Sequence, residues 1–308
     1  MYELMCTFAL QKEKDMKTYQ QLWQLLTPLY SAGEAQAIVR TLLDVRYGMT
    51  LTDIVCGKVN DLPEEETVRL DDLLCRLQHG EPVQYVLGQA DFAGRTFHVE
   101  PGVLIPRPET AELCGWITED CHRRMPAGKA EQDNSDKTTT ILDICTGSGC
   151  IAVTLALDTE RAEVTGWDIS ADALRIARRN AETLGAKNVS IGYKDALTLP
   201  KDNERWDIIV SNPPYICEKE KAGMERNVLE HEPSIALFVP DEDPLLFYRA
   251  IAGYAANALK PGGALYFEIN PLYEKRTRQM LEGLHFREVE TREDAFGKKR
   301  MMKALTIK

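Results

Sequence analysis

Cysteine and histidine, the residues that most often bind transition metals, are few in this sequence and irregularly spaced. None of the eight cysteines belongs to a C-x-x-C pair, and the five histidines do not complete a zinc-binding spacing. Isolated thiols of this kind are typical of buried structural residues. The sequence therefore predicts no metal site.

The sequence also lacks a long apolar segment. Apolar residues make up 44% of the chain, and no stretch approaches the roughly 18 uninterrupted apolar residues that a membrane-spanning helix needs. The first residues, Met1 to Cys6, include an acid and no basic cluster ahead of an apolar run, which disfavours a secretory signal. We therefore expect a soluble, cytoplasmic protein with no membrane partner.

Positive charge is scarce as well. The 308 residues include 37 lysines and arginines against 48 acids, a formal net charge of −11. Proteins that bind duplex nucleic acid use lysine and arginine to neutralise phosphates and release counterions. The charge therefore disfavours direct nucleic-acid binding.

The chain divides by pattern into a helical part and a longer part that contains strands. The first ninety residues carry helical periodicity only, including a helix from Pro63 to Gly80 that is expected to bury Val68, Leu73, Leu74 and Leu77. We predict three regions: an N-terminal helical bundle domain over residues 1–90, a hairpin linker over residues 91–105, and an α/β domain over residues 106–308.

In the third region, apolar strands alternate with amphipathic helices. The predicted strands are Thr139–Ile144, Glu163–Asp168, Val189–Tyr193, Trp206–Ser211 and Ala264–Ile269. The predicted helices are Gly149–Asp158, Ala171–Leu184 and Pro244–Ala258. Such alternation indicates right-handed crossovers and a parallel sheet covered on both faces, and two final strands flanking a short turn are expected to pair antiparallel. The predicted fold is a doubly wound, mostly parallel seven-stranded α/β sheet with an antiparallel last strand.

A glycine-containing loop follows the first of these strands. Gly147-Ser148-Gly149 opens a helix at the carboxyl edge of the sheet, where backbone N–H groups can meet a nucleotide-like ligand. Asp168 ends the next strand, where a carboxylate can accept hydrogen bonds from both ribose hydroxyls. The combination predicts a ribonucleoside ligand.

Two nucleoside cofactors fit this loop. Gly147-x-Gly149-x-x-Ala152 also satisfies the dinucleotide fingerprint, so a nicotinamide cofactor is one alternative. Asp143 would repel a pyrophosphate but suits the ammonium and sulfonium of S-adenosylmethionine, although an acid that caps the loop is an equal interpretation. Asp195 could accept from an adenine amino group or cap a helix. With the antiparallel terminal pair, these features favour S-adenosylmethionine.

A second motif, Asn212-Pro213-Pro214-Tyr215, follows the strand that is expected to lie beside the first one. Two consecutive prolines end the strand in a stiff loop that has few N–H donors. The Asn212 side-chain oxygen and the Pro213 carbonyl are then available as acceptors, with the Tyr215 ring beside them. The motif is typical either of a rigid turn or of a site for a planar group that bears N–H bonds, and its position favours the site.

Together these residues resemble a class I S-adenosylmethionine-dependent methyltransferase that modifies a planar nitrogen. Four further motifs narrow the resemblance to the release-factor glutamine methyltransferases, also called the PrmC or HemK family. They are Glu81-Pro82-x-x-Tyr85-x-Leu87-Gly88, Phe92-x-Gly94-x-x-Phe97-x-Val99, Leu104-Ile105-Pro106-Arg107-Pro108-Glu109-Thr110 and Glu232-Pro233-x-x-Ala236-Leu237. The resemblance covers the chain from about Glu81 to its end.

The resemblance implies an activity and a set of site residues. Members of this family methylate the side-chain amide nitrogen of the glutamine in the Gly-Gly-Gln loop of peptide chain release factors, converting S-adenosylmethionine to S-adenosylhomocysteine. By resemblance, Asn212, Pro213, Pro214 and Tyr215 hold that glutamine. The residues implied for the cofactor are Asp143, Cys145, Thr146, Gly147, Ser148, Gly149, Asp168, Asp195, Ala196 and Asn212.

The sequence departs from the family pattern at four places. Ala111 stands where the family usually has glutamate, Cys145 and Asn270-Pro271 stand where it usually has glycine, and Val239-Pro240-Asp241-Glu242 replaces a glycine-rich loop. These departures concern the loops around the two central motifs.

Three other functions remain open at this point. An adenine-amino methyltransferase acting on DNA or RNA would use the same tetrapeptide, but it needs a basic channel. A nicotinamide oxidoreductase and a non-enzymatic interaction module are the other two. For the helical bundle we expect a role in binding the release factor, with stabilisation of the sheet domain as the alternative.

Overall fold

The computed structural model describes residues 17–124 and 138–307. The polar stretch from Met125 to Lys137, which lacks periodicity and is predicted from the sequence to be a surface loop, lies outside the described residues. The chain divides into two compact units, Met1–Leu87 and Gly88–Lys308.

The first unit is entirely helical in its described part. Its helices are α1 (Tyr19–Gln24), α2 (Ala32–Tyr47), α3 (Leu51–Val55), α4 (Glu64–Gln78) and α5 (Val83–Leu87). Side chains of Thr18, Ser31 and Thr50 accept from backbone N–H groups at the starts of the first three helices. Buried leucines, valines and a methionine from these helices and the intervening turns form one hydrophobic core.

The predicted apolar face of α4 is wrong at one position. Val68 is 65% exposed and Leu73 is partly buried, whereas Leu74 and Leu77, together with Leu70, which was not predicted, are each no more than 2% exposed. These leucines repeat at intervals of four and three residues, which is the helical period, and Val68 lies off that line.

The second unit contains the sheet and the helices that cover it. Its first elements are the hairpin strands β1 (Gln89–Phe92) and β2 (Arg95–His98), followed by α6 (Pro108–Arg124). The alternating part then consists of β3 (Thr139–Ile144), α7 (Cys150–Asp158), β4 (Ala162–Asp168), α8 (Ala171–Thr183), β5 (Val189–Tyr193) and β6 (Trp206–Ser211). The last part consists of β7 (Ile216–Cys217), α9 (Arg226–His231), β8 (Phe238–Val239), α10 (Leu246–Ala258), β9 (Leu259–Glu268), α11 (Glu274–Gly283), β10 (Arg287–Glu293) and β11 (Lys299–Leu305).

Seven of these strands form one sheet in the order β10-β11-β9-β6-β3-β4-β5. The β3, β4, β5, β6 and β9 strands pair in parallel, and β11 is antiparallel to both of its neighbours. The predicted seven-stranded, mostly parallel sheet with an antiparallel last strand is therefore confirmed.

Alternate residues of each central strand point to opposite faces of the sheet. Leu142 and Ile144 of β3 join a core with α10 and α11, whereas Ile141 joins a second core with α6, α7 and α8. The sheet is therefore covered by helices on both faces, as a doubly wound fold requires.

Several short elements were not predicted. They are α3, α5, α9, α11 and the two-residue parallel pair of β7 with β8.

Among the helices of residues 17–124 and 138–307, none has the length and apolarity that crossing a membrane requires.

Candidate active site

The strand order places the two central motifs side by side. β6 lies next to β3 in parallel register, with Ser211 opposite Ile144, and β4 lies on the other side with Trp167 opposite Ile144. The residues at the carboxyl ends of these strands, Cys145, Asp168 and Asn212, therefore lie at the same edge of the sheet. The predicted adjacency of the β3 and β6 strands is confirmed.

The loop after β3 is held in an unusual backbone conformation. Cys145, Gly147 and Gly149 have φ values of +64°, +55° and +79°. A Cβ atom at Gly149 would lie 3.0 Å from Cβ of Ala177 in α8, so a side chain there would push the two helices apart. The left-handed conformation of Cys145 explains why glycine is usual at that position.

Asp143, in β3, bonds to this loop from the protein interior. Its side chain is fully buried and accepts a hydrogen bond from the Thr146 hydroxyl at 2.6 Å. Burial raises the pKa of Asp143 to about 7, although the bonds from Thr146 and the Ala152 backbone act in the opposite direction. Asp143 is not among the residues that line the cleft described below. The structure thus shows the hydrogen bond expected of a loop-capping acid, and a contact of Asp143 with the cofactor stays a prediction.

Asp168, the last residue of β4, contacts the same loop. Its two carboxylate oxygens accept from the backbone N–H groups of Gly147 and Ser170, each at 2.9 Å. Burial raises its pKa, and these backbone bonds lower it. Because each oxygen has a second lone pair, the carboxylate can still accept from two ligand hydroxyls.

A cleft with a volume of about 250 Å³ opens over this loop. Eight of the residues predicted for the cofactor line it: Cys145, Thr146, Gly147, Ser148, Asp168, Asp195, Ala196 and Asn212. Aliphatic side chains that include Ile151, Ile169 and Leu197 form its walls. Apolar walls, two acids and exposed loop backbone fit an adenosyl group, because the base needs an apolar slot and the ribose and amino groups need acceptors. Asp143 and Gly149 do not line the cleft.

Asp195 also closes its own loop. Its side chain accepts from the Leu197 backbone N–H at 2.8 Å. The predicted capping role is therefore present in the form of a turn and not of a helix, and the same side chain borders the cleft.

A second cavity of about 250 Å³ lies beside the first. Its walls include Tyr215, Ile216, Met224, Val228 and Leu237. Leu104, Arg107 and Asn212 line both cavities. Asn212 therefore lies between a cleft that fits an adenosyl group and a second, mostly apolar cavity.

A buried hydrogen-bond network supports Asn212 from behind. Its Nδ2 donates to Thr110 Oγ1 at 3.3 Å, and the Thr110 hydroxyl donates to Glu268 Oε2 at 2.5 Å. The Tyr215 hydroxyl donates to Glu268 Oε1 at 2.9 Å. Burial raises the pKa of Glu268, whereas the bonds from Thr110 and Tyr215 lower it. Burial and the neighbouring Glu268 also raise the pKa of Tyr215 well above its ordinary value.

Tyr215 is held at both ends. Its backbone carbonyl accepts from Nδ2 of Asn270 at 3.1 Å. Asn270 stands where the family usually has glycine, so this departure from the pattern adds a contact to the Asn212–Tyr215 loop. Pro214 lines the first cavity, but Pro213 is buried and lines neither cavity. The predicted role of the Pro213 carbonyl as an acceptor therefore stays a prediction.

Three residues at the site had no role assigned from the sequence. Thr110 and Glu268 are the network residues, and Glu232 accepts from the Ile105 backbone N–H at 3.1 Å and forms an ion pair with Arg107. This pair joins the two segments Leu104–Thr110 and Glu232–Leu237 along the cleft. A signal did exist, because each of these residues belongs to a motif or strand end already singled out.

Within the described ranges 17–124 and 138–307, no group of three or more histidine, cysteine or acidic side chains is arranged to hold a metal ion.

Two sequence families match the chain. The Methyltransferase domain family matches residues 135–285, and the PrmC N-terminal domain family matches residues 20–88.

Curated relatives match over almost their whole length. A release factor glutamine methyltransferase of Bacteroides thetaiotaomicron is 44% identical over 282 residues, which is 91% of this chain and 96% of that protein. The protein of the same name from Flavobacterium psychrophilum is 37% identical over 289 residues, 94% of this chain and 98% of that protein. Among solved structures, a ribosomal protein L11 methylase of Lactobacillus delbrueckii subsp. bulgaricus has a TM-score of 0.44 at 19% identity, over 67% of this chain and 82% of that chain.

Proposed function

The chain belongs to the release factor glutamine methyltransferase family, and we propose that it methylates the side-chain amide nitrogen of the glutamine in the Gly-Gly-Gln loop of peptide chain release factors. S-adenosylmethionine supplies an electrophilic methyl group on a sulfonium and leaves as S-adenosylhomocysteine.

The position of Asn212 between the two cavities is the observation that carries this proposal. The first cavity has the acids and loop backbone that suit an adenosyl group, and the second has apolar walls that suit the aliphatic stem of a glutamine side chain. A group that reaches through from the second cavity would meet the first one at Asn212.

Asn212 would orient the acceptor amide. An amide nitrogen is a weak nucleophile because its lone pair is delocalised into the carbonyl. Since Nδ2 of Asn212 is engaged by Thr110, its Oδ1 is the atom available to accept from the substrate NH2. Such a contact fixes the nitrogen in line with the methyl group and becomes stronger as positive charge develops on the nitrogen. The nitrogen gains a methyl group and releases one proton to solvent, so no strong base is needed before transfer.

The other site residues would bind and enclose the reactants. Asp168 and Asp195 accept from the adenosyl group, and the loop from Cys145 to Ser148 lies against it. Tyr215 lines the second cavity and excludes water from the substrate amide. The Pro213 carbonyl was expected as a second acceptor, but Pro213 lines neither cavity, so the proposal relies on Asn212.

Replacing Asn212 tests the proposed role. We expect Asn212→Ala to lower turnover with a purified release factor by ~100-fold or more, the usual cost of losing one preorganised transition-state contact. The Kd for S-adenosylmethionine, measured by calorimetry, should change by less than about threefold, because Asp168, Asp195 and the loop remain. Equal losses in turnover and cofactor affinity would contradict the assigned role.

The adenine-amino alternative is tested in the same assay. DNA and RNA replace the release factor as acceptor, and transfer of labelled methyl is compared. Transfer to the protein acceptor alone supports the proposal, and faster transfer to nucleic acid contradicts it.

For the helical bundle we propose a role in binding the release factor body, which is supported by its separate core and its match to the PrmC N-terminal domain family.

A further inference from the structure

We propose that Thr110 and Glu268 are positioning residues that fix the direction of the Asn212 amide, so that its oxygen and not its NH2 group faces the acceptor. The inference rests on the proposed function, because it gives Asn212 the role of a hydrogen-bond acceptor.

The direction follows from counting protons along the network. The Thr110 and Tyr215 hydroxyls both donate to Glu268, one to each carboxylate oxygen, which is the arrangement that an acceptor-only carboxylate requires. Thr110 has a single hydroxyl proton, and the 2.5 Å contact with Glu268 uses it. The Thr110 oxygen can then only accept from Asn212, which is possible only if the Nδ2 group of Asn212 points toward it. The Oδ1 atom must therefore point the other way, toward the cavities.

Without this network, the Asn212 amide has no fixed direction. A primary amide presents oxygen and NH2 with nearly the same shape, and rotation by half a turn would present donors to the substrate NH2 group. Two donors facing each other repel, so the flipped form is inactive. Two hydrogen bonds of the network, from Thr110 and from Tyr215, end on one carboxylate that is 2% exposed, and Thr110 in turn accepts from Asn212.

The burial of Glu268 argues that it serves more than packing. Removing a carboxylate from water is costly, and an apolar side chain of similar volume often stabilises a core equally well or better. Glu268 is placed at the last position of β9, at the same edge of the sheet as the candidate site. A positioning role accounts for the acid at this position.

The test uses Glu268→Gln, Thr110→Val and Thr110→Ser in the full-length chain. The glutamine keeps the size of Glu268 but introduces a donor, so Thr110 can accept from it and turn its own proton toward Asn212. The valine keeps the shape of Thr110 and removes the hydroxyl, whereas the serine keeps the hydroxyl. We expect kcat for release-factor methylation to fall at least tenfold in Glu268→Gln and Thr110→Val and to change less than threefold in Thr110→Ser. The Kd for S-adenosylmethionine should stay within threefold in all three.

A second measurement does not depend on activity. In isotope-labelled protein without substrate, the Asn212 side-chain NH2 protons, identified by their loss in Asn212→Asp, should exchange with solvent at least tenfold faster in Thr110→Val and in Glu268→Gln than in the wild type. Thr110→Ser should exchange at the wild-type rate. If the wild type fails to methylate a release factor, the proposed function is wrong, and the exchange rates still test the network. Unchanged exchange in Thr110→Val and Glu268→Gln, or full kcat in either, would overturn the inference.

Discussion

At the scale of single residues, Cys145 shows how a departure from a family pattern can be accommodated. A left-handed backbone favours glycine, and a non-glycine residue there costs roughly 1 to 2 kcal/mol. Cys145 nevertheless adopts φ +64° and borders the cleft. It has no branch at Cβ, which makes this backbone conformation less unfavourable than it would be for valine or isoleucine. The loop shape is therefore kept without the usual glycine.

Asp143 makes the stability of the protein depend on pH. Its pKa is raised from the ordinary 3.8 to about 7 in the folded state, so the folded state binds this proton more tightly than the unfolded one. The stabilisation is fully present below pH 3.8 and is lost as the pH rises through 7. Asp143→Asn removes this dependence.

We therefore expect the free energy of unfolding of Asp143→Asn, relative to wild type, to rise by about 2 to 3 kcal/mol between pH 5 and pH 8, since each pH unit of proton linkage is worth about 1.4 kcal/mol. Urea denaturation of both proteins at several pH values measures the difference. Parallel curves for the two proteins would show that Asp143 does not titrate in this range.

Most of the residues predicted for the cofactor line the cleft, but sequence reasoning did not identify the residues that support them. Asn212 and Asp168 could be predicted because both lie at the carboxyl ends of strands of a parallel sheet, where ligands bind. The contact between Thr110 and Glu268 could not, because they are 158 positions apart and only the fold brings them together. Asp143 was placed correctly in β3, but its burial under the loop depends on the side of the sheet to which it points.

At the scale of elements, Asn180 of α8 joins the hairpin to the loop after β3. Its Nδ2 donates to the Ser148 carbonyl at 2.8 Å and to the His98 carbonyl at 3.0 Å, and its Oδ1 accepts from the His98 N–H at 2.8 Å. These three hydrogen bonds give a structural reason for the presence of the Phe92–Val99 motif next to the loop after β3.

Replacing Asn180 should therefore affect the loop as well as stability. We expect Asn180→Ala to raise the Kd for S-adenosylmethionine about tenfold and to lower the free energy of unfolding by about 1 to 3 kcal/mol, the cost of leaving buried groups unpaired. Calorimetry and urea denaturation measure the two quantities.

Asn188→Ala is the matched control. Asn188 donates to the carbonyls of Ala156 and Ala162, away from the loop. The Asn188→Ala variant should have a lower free energy of unfolding and an unchanged Kd for S-adenosylmethionine. Equal cofactor affinity in the two variants would remove the link between the hairpin and the loop.

Elements with strong periodicity were predictable, and short ones were not. The predicted strands of the sheet agree with the structure to within a few residues, apart from β9, which begins at Leu259 and not at Ala264. Its first residues include two glycines that hide the strand pattern. The β7 and β8 strands have only two residues each, too few for any period to appear.

At the scale of the whole molecule, each unit has its own hydrophobic core. Residues of the first core all lie between Leu22 and Val86, and those of the other two lie between Phe92 and the end of the sheet. Removing residues 1–87 should therefore leave a folded methyltransferase unit.

We expect this shortened protein to bind S-adenosylmethionine within about threefold of the intact Kd but to lose at least tenfold in kcat/KM for a release factor, because the proposed substrate-binding bundle is gone. Circular dichroism checks its folding, calorimetry the cofactor and a methyl-transfer assay the substrate. An unchanged kcat/KM would show that the bundle does not bind the release factor and serves only to stabilise the protein.

The central claim is that Asn212 presents a glutamine amide to an adenosyl-bound methyl group. Peptide mapping by mass spectrometry, after a purified release factor is incubated with this protein and S-adenosylmethionine, tests donor, acceptor and site together. The account predicts a mass gain of one methylene on the glutamine of the Gly-Gly-Gln loop with the wild type and far less with Asn212→Ala. A methyl group on another residue, or equal modification by both proteins, would contradict it.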